Sequence, residues 1–215
     1  MSDLSATYSL LPYRAAATGL EGQCLVLQGN LEEGIPLLRK GLEELRNQRN
    51  EMLRLDFIPD LGAGLIVIGE HEEAYALILA ALDAQQRAGA FLHMPALLRM
   101  KGLILASRSA EEYREAEKSL LLSIDWAKRQ SAGLFELKAA TDLAELLLAQ
   151  GRILEANKHL GAALRRTPDG LVSPAHERAR QILNRLRLPP SQPSKAPARP
   201  LSTQRRTSTR GSIQA

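Results

Sequence analysis

Apolar side chains recur at three- and four-residue intervals through most of this chain, and small residues mark corresponding places in successive segments. Three stretches stop an apolar run at a glycine and resume it with acids: Gly29-Asn30-Leu31-Glu32-Glu33-Gly34, Gly69-Glu70-His71-Glu72-Glu73-Ala74 and Gly151-Arg152-Ile153-Leu154-Glu155-Ala156. A fourth, Ser109-Ala110-Glu111-Glu112 leading to Glu115-Ala116, keeps the acids without the glycine. The small residue after the acids falls at Gly34, Ala74, Ala116 and Ala156, at spacings of 40, 42 and 40. A second small residue precedes each turn, at Gly22, Gly62, Gly102 and Ala144, spaced 40, 40 and 42. A glycine within a helix costs about 1 kcal/mol relative to alanine, so three at corresponding positions require a packing reason. A helix hairpin supplies one, with Gly22 facing Gly34, Gly62 facing Ala74 and Ala144 facing Ala156.

Large apolar residues keep the same register. Leu25, Leu65, Leu105 and Leu147 follow the first small position by three residues, and Leu38, Ile78, Leu120 and Leu160 follow the second by four. Those intervals put each pair on one helix face. The pattern predicts helix pairs over 11–28 with 31–47, 50–68 with 71–88, 94–107 with 110–130, and 134–150 with 152–166. Asn30 with Glu33, and Ser109 with Glu112, have the spacing of a helix-starting cap and its acid. Pro36 and Pro59 fall inside predicted helices, where a kink or a late start is expected. After the break at Thr167-Pro168-Asp169-Gly170, Ser173-Pro174 opens a last helix to about residue 188. Ala179, Ile182, Leu183 and Leu186 are expected to point inward from it, with Arg178, Arg180, Arg185 and Arg187 largely outward, as in a terminal capping helix.

Composition supports an all-α fold. Aromatics make up 4% of the chain and valine occurs only at positions 26, 67 and 172, so the residues that strands favour are scarce. Charge needs dividing before it is interpreted. The formal net charge is +4 from 28 basic and 24 acidic residues, but residues 189–215 hold Lys195, Arg199, Arg205, Arg206 and Arg210 and no acid. Removing those five leaves 23 basic residues against 24 acidic, so the folded body lacks the basic excess of a nucleic-acid-binding face. Pro189 to Ala215, rich in Pro, Ser and Thr, is expected to be a disordered solubilising tail. Residues 1–10 form an N-terminal extension and 11–188 the helical domain. Cys24 is the single cysteine, which fits a reducing compartment, and its apolar surroundings suggest a buried small hydrophobe. With neither a signal peptide nor an apolar run of membrane-spanning length evident, the expected location is the cytoplasm.

The small–large–Gly–Ala pattern over roughly residues 12–166 resembles the tetratricopeptide repeat, in a divergent form of about 40 residues without the consensus Trp. The resemblance implies a right-handed superhelical array of about four helix hairpins plus a capping helix. Three stretches, Gln28 to Arg39, Met94 to Gly102 and Glu136 to Ala144, resemble the C-terminal repeat region of large bacterial regulatory ATPases. In those proteins a winged-helix or nucleotide-cyclase domain precedes the ATPase, and a helical array follows. That resemblance implies a sensory or partner-binding arm in signal-dependent regulation, of transcription above all. This chain carries neither a winged helix nor an ATPase, so DNA binding and ATP hydrolysis are not implied for it.

Motifs for chemistry are wanting. There is no GxxxxGK[ST] or GxSxG, and Gly62-Ala63-Gly64 lacks the strand and third glycine of a dinucleotide loop. His71, His93, His159 and His176 do not pair at ligand spacing and are expected in solvent or turns. Glu43-Glu44, Glu72-Glu73 and Glu111-Glu112 are paired acids, and two of these pairs are placed like acids that favour helix starts. No enzyme activity, cofactor or metal is therefore expected. The inner face of a tetratricopeptide-like array is lined by the first helix of each pair, which places Gln23, Asp56, Arg99, Lys138, Thr141 and Glu145 near it. Arg99 and Lys138 could together hold an acidic peptide terminus. The expected function is a non-catalytic scaffold for a protein or peptide partner, and the alternative a sensor for a small ligand in the groove. The oligomeric state is open, because the first helix (Leu11, Tyr13, Ala16, Leu20) has an apolar face that no earlier helix covers.

Overall fold

The computed structural model describes residues 11–167 and 173–187, and among these every regular element is helical. The helices are α1 (Leu11–Leu27), α2 (Leu31–Asn47), α3 (Glu51–Val67), α4 (His71–Ala88), α5 (Met94–Arg108), α6 (Tyr113–Arg129), α7 (Gly133–Ala149), α8 (Ile153–Arg166) and α9 (Pro174–Arg187). A 3-10 turn at Ala110–Glu112 leads into α6. The four expected pairs and the last helix are all present. The basic tail and the N-terminal extension lie outside the described residues.

One device ends most of the helices. The amides of Gly29 and Asn30 donate to the carbonyls of Val26 and Leu25, and the same double bond closes α3 at Gly69 and Glu70 and α7 at Gly151 and Arg152. The residue before the last amide must take a positive φ, as Gly29 (85°), Gly69 (84°) and Gly151 (74°) do. Helices α2 and α6 end in the same way at Arg49 and Ser131, both at φ 55° without being glycine. The helix starts depart from the sequence expectation. Neither the Asn30 nor the Ser109 side chain caps its helix; the backbone carbonyl of Asn30 accepts the first helical bond, from Gly34. Asn50 is a side chain that does cap, accepting from the Leu53 amide at 3.3 Å. Helices α2 and α3 run through Pro36 and Pro59 and neither starts late.

The repeated small residues are where helices meet. A Cβ on Gly22 would lie 2.6 Å from the Leu38 amide nitrogen and 2.9 Å from the Gly34 carbonyl oxygen, so α1 and α2 touch backbone to backbone. Gly102 stands in a similar relation to Ala116 and Leu120. Gly62 differs: its nearest neighbour is the Met100 side chain at 3.1 Å, so it admits the next first helix, α5, more than its own partner. Leu38, Leu65, Ile78, Leu120, Leu147 and Leu160 are fully buried, as their register requires, while Leu25 is half-buried.

Two layers result. The first helices α1, α3, α5 and α7 pack in succession, and α9 continues the row against α7. Each second helix packs on its own first helix and on the next one. Among the described residues no second helix packs closely on another second helix. Ion pairs bridge those gaps: Arg39 of α2 reaches Glu73 of α4, and Arg152, just before α8, reaches Glu117 of α6, both at 2.6 Å. Helix α9 buries Ala179, Ile182 and Leu186 over the last pair.

Candidate functional site

The row of first helices gives one continuous face, and its polar residues form a ladder across successive repeats. At the N-terminal end Gln23 Nε2 of α1 donates to Asp60 Oδ2 of α3 at 2.5 Å. One turn earlier on α3, Asp56 Oδ1 lies 3.0 Å from His93 Nε2 at the start of α5. Burial pushes the Asp60 carboxyl above its ordinary value of 3.8, against the lowering effects of the Gln23 hydrogen bond and the charges of Lys138 and Arg99; neighbouring Asp56 pushes the same way as burial. Without those donors a carboxylate there would be costly to ionise.

The C-terminal half is built around Asp142, whose side chain is wholly buried. Arg99 of α5 reaches it through Nε at 2.5 Å, and Arg178 of α9 through Nη1 at 2.9 Å. Arg178 also bonds Glu145, one turn along α7. Burial acts to lower the Arg178 pKa, but Asp142 and Glu145 outweigh it and the net shift is upward. A buried carboxylate between two guanidiniums is satisfied only while both remain, so this cluster ties α5, α7 and α9 into one unit.

Of the six residues expected on this face, Gln23, Asp56, Arg99 and Glu145 make contacts between successive helices of the row, and the charge of Lys138 acts on Asp60. Gln23 and Asp56 are at the N-terminal end of the row, and Arg99, Lys138 and Glu145 at its centre and C-terminal end. Thr141 is not among them: it is 2% exposed and its hydroxyl donates to the Leu137 carbonyl, so it belongs to the core of α7. Arg99 and Glu145 are already engaged. Lys138, half-buried beside Asp60, has no ion-pair partner among the described residues. Asp60, Asp142, Arg178 and His93 complete the ladder and were not foreseen. For Asp142 the signal was present, an acid set in the apolar stretch Ala139-Ala140-Thr141-Asp142-Leu143-Ala144.

Other expectations change. Arg178 is exposed, as expected, but its guanidinium turns back to the buried Asp142. His93 lies in a turn, as expected, with its side chain one-tenth exposed, whereas His176, bonded to Ser173 at 2.8 Å within α9, is buried and not solvated. Cys24 is exposed and not buried, since α1 turns positions 15, 19 and 22 toward the body. Gly62 and Gly64 are packing positions within α3. Among the described residues no group of three or more His, Cys, Asp or Glu is placed to hold a metal ion, and no helix is long and apolar enough to cross a membrane.

No protein-family model matches the chain, and no curated protein matches it. Solved structures do. A putative kinesin light chain of Podosopora anserina with nearly identical TPR-like repeats matches with a TM-score of 0.55 and 18% identity, covering 81% of this chain and 86% of that one. A variant form of that protein matches with the same score and identity over 85% of its length. At that identity the likeness is one of fold: this chain has the all-α architecture of a tetratricopeptide-like repeat array.

Proposed function

We propose that the chain is a non-catalytic interaction module that holds a segment of a partner protein along the row of first helices. Lys138 is the observation that carries this reading. It makes no close salt bridge among the described residues, its nearest opposite charge being that of Asp60, in a ladder where Arg99, Asp142, Arg178 and Glu145 pair with one another. Its neighbour Asp60 is itself bonded to Gln23. An acidic group of the partner, a chain terminus or an Asp or Glu side chain, meets Lys138 and the guanidinium edge of Arg99 not turned to Asp142. Gln23 and Asp56 contact the adjoining part of the segment. The resemblance to the repeat arms of bacterial regulatory ATPases supports placing the module in signal-dependent regulation of transcription, in the cytoplasm.

The test separates binding from folding. The full chain is used to capture partners from its native cytosol, in parallel with Lys138→Ala and Arg99→Ala. Arg99→Ala exposes a buried carboxylate and lowers stability as well, so Lys138→Ala is the cleaner probe. A protein retained by the unaltered chain and lost with Lys138→Ala, at unchanged helicity, supports the groove. A partner held equally by both variants overturns it. A small metabolite that raises the melting temperature with no protein present would favour a ligand sensor instead.

A further inference from the structure

The face of α1 turned away from the body carries Tyr13, Ala17, Leu20, Cys24 and Leu27, at intervals of four, three, four and three. That is the spacing of a coiled-coil seam. Tyr13 is 70% exposed, Leu20 50% and Leu27 72%. The seam cannot be turned inward by rotating α1, because glycine contacts lock the opposite side. A Cβ at Gly19 would lie 2.7 Å from the Phe57 ring, and one at Gly41 would lie 2.8 Å from the Gly19 nitrogen. The flank of the seam holds two exposed charges of opposite sign one heptad apart, Arg14 and Glu21, with no ion-pair partner among the described residues.

We propose that this face docks against the α1 of a second copy of the chain, the two helices antiparallel about a two-fold axis. In that orientation Ala17 and Leu20 of one copy meet Leu20 and Ala17 of the other, and Tyr13 meets Cys24. Arg14 of each copy comes beside Glu21 of its partner, so one patch satisfies itself twice, as an isologous contact must. Residues 1–10 contain Asp3 and no basic side chain, so as an alternative cover they would leave Glu21 unmatched. The small Ala17 at the centre lets the two helices approach, and the pairing closes the open end of each array.

Sedimentation equilibrium of the full chain over the micromolar range tests this. The expected result is a mass rising toward twice 23.6 kDa with concentration. Leu20→Glu, at a half-exposed position, should leave the 23.6 kDa monomer with unchanged helical circular dichroism. Arg14→Glu and Glu21→Arg should each weaken association about tenfold, and the double variant should restore it, since exchanging the signs keeps both cross-pairs. A monomer at every concentration overturns the proposal. So does a dimer that survives Leu20→Glu, or one that the double exchange fails to rescue.

Discussion

The two ends of this array are finished differently. At the C-terminal end α9 lays Ala179, Ile182 and Leu186 over the last hairpin and sends Arg178 to the buried Asp142, so apolar and ionic contacts cooperate across one boundary. At the N-terminal end α1 is held as tightly from within, by close contacts at Gly19 and Gly22, yet turns an unbroken apolar seam to the outside. A repeat array needs an end whose outer face water tolerates. The amphipathic α9 supplies that face at one end. At the other, the terminal helix leaves large apolar side chains in water, Tyr13, Leu20 and Leu27 among them.

Substitutions can break this contrast. The largest loss is expected where a buried charge is stranded: Arg99→Met leaves Asp142 with Arg178 alone and should cost about 3 kcal/mol in chemical unfolding. Gly22→Val at the opposite end drives a side chain into the Leu38 backbone and should cost about 2–3 kcal/mol by the same measurement, with α1 detaching first in hydrogen exchange. Ile182→Ala in the cap should cost about 2 kcal/mol, whereas Leu20→Ala in the seam should change the stability of the dilute monomer by less than about 0.5 kcal/mol. Equal effects of those two changes would erase the distinction between the ends.

A pH experiment sharpens the comparison at the row of first helices. The Asp60 pKa is raised in the folded chain, so its ionisation costs the fold more than the unfolded state. That penalty is absent below the ordinary value near 3.8 and fully present above the raised one. Asp60→Asn should therefore raise the melting temperature at neutral pH, with the gain shrinking as the pH falls through the raised pKa and vanishing below about 3.8. An unchanged gain at about pH 3, below both values, would refute the assignment. A small gain is expected at a turn: Ser131→Gly relieves a positive φ and should add about 0.5–1 kcal/mol in thermal unfolding.

The hairpins were legible in the sequence because small residues report backbone contact directly. Gly22 with Gly34 and Gly102 with Ala116 approach as their spacing requires, since no larger residue allows that distance. Rotation about a helix axis was less legible where apolar residues run consecutively. Cys24-Leu25-Val26-Leu27 offers no polar residue to mark the outer side, and Cys24 proves exposed. Helix starts misled for another reason. Asn30 and Ser109 have the right identities, but identity does not fix the side-chain rotamer, and neither side chain turns to a first-turn amide as that of Asn50 does. The polar ladder was half legible. Position along the first helices puts Arg99, Lys138 and Glu145 on one strip, but pairing across 43 residues, as between Arg99 and Asp142, depends on relative helix placement that no local spacing contains.

The lack of close packing among the second helices, within the described residues, has a mechanical consequence. The inner row is a continuous strip of packed helices, while the outer row consists of separate struts, each anchored at its base. Exposed ion pairs such as Arg39 with Glu73 are the ties between struts, and such ties yield at little cost. A body of this kind bends like a spine, opening or closing the gaps between struts while every hairpin stays intact. Its softest motion is thus a change in the curvature of the inner strip.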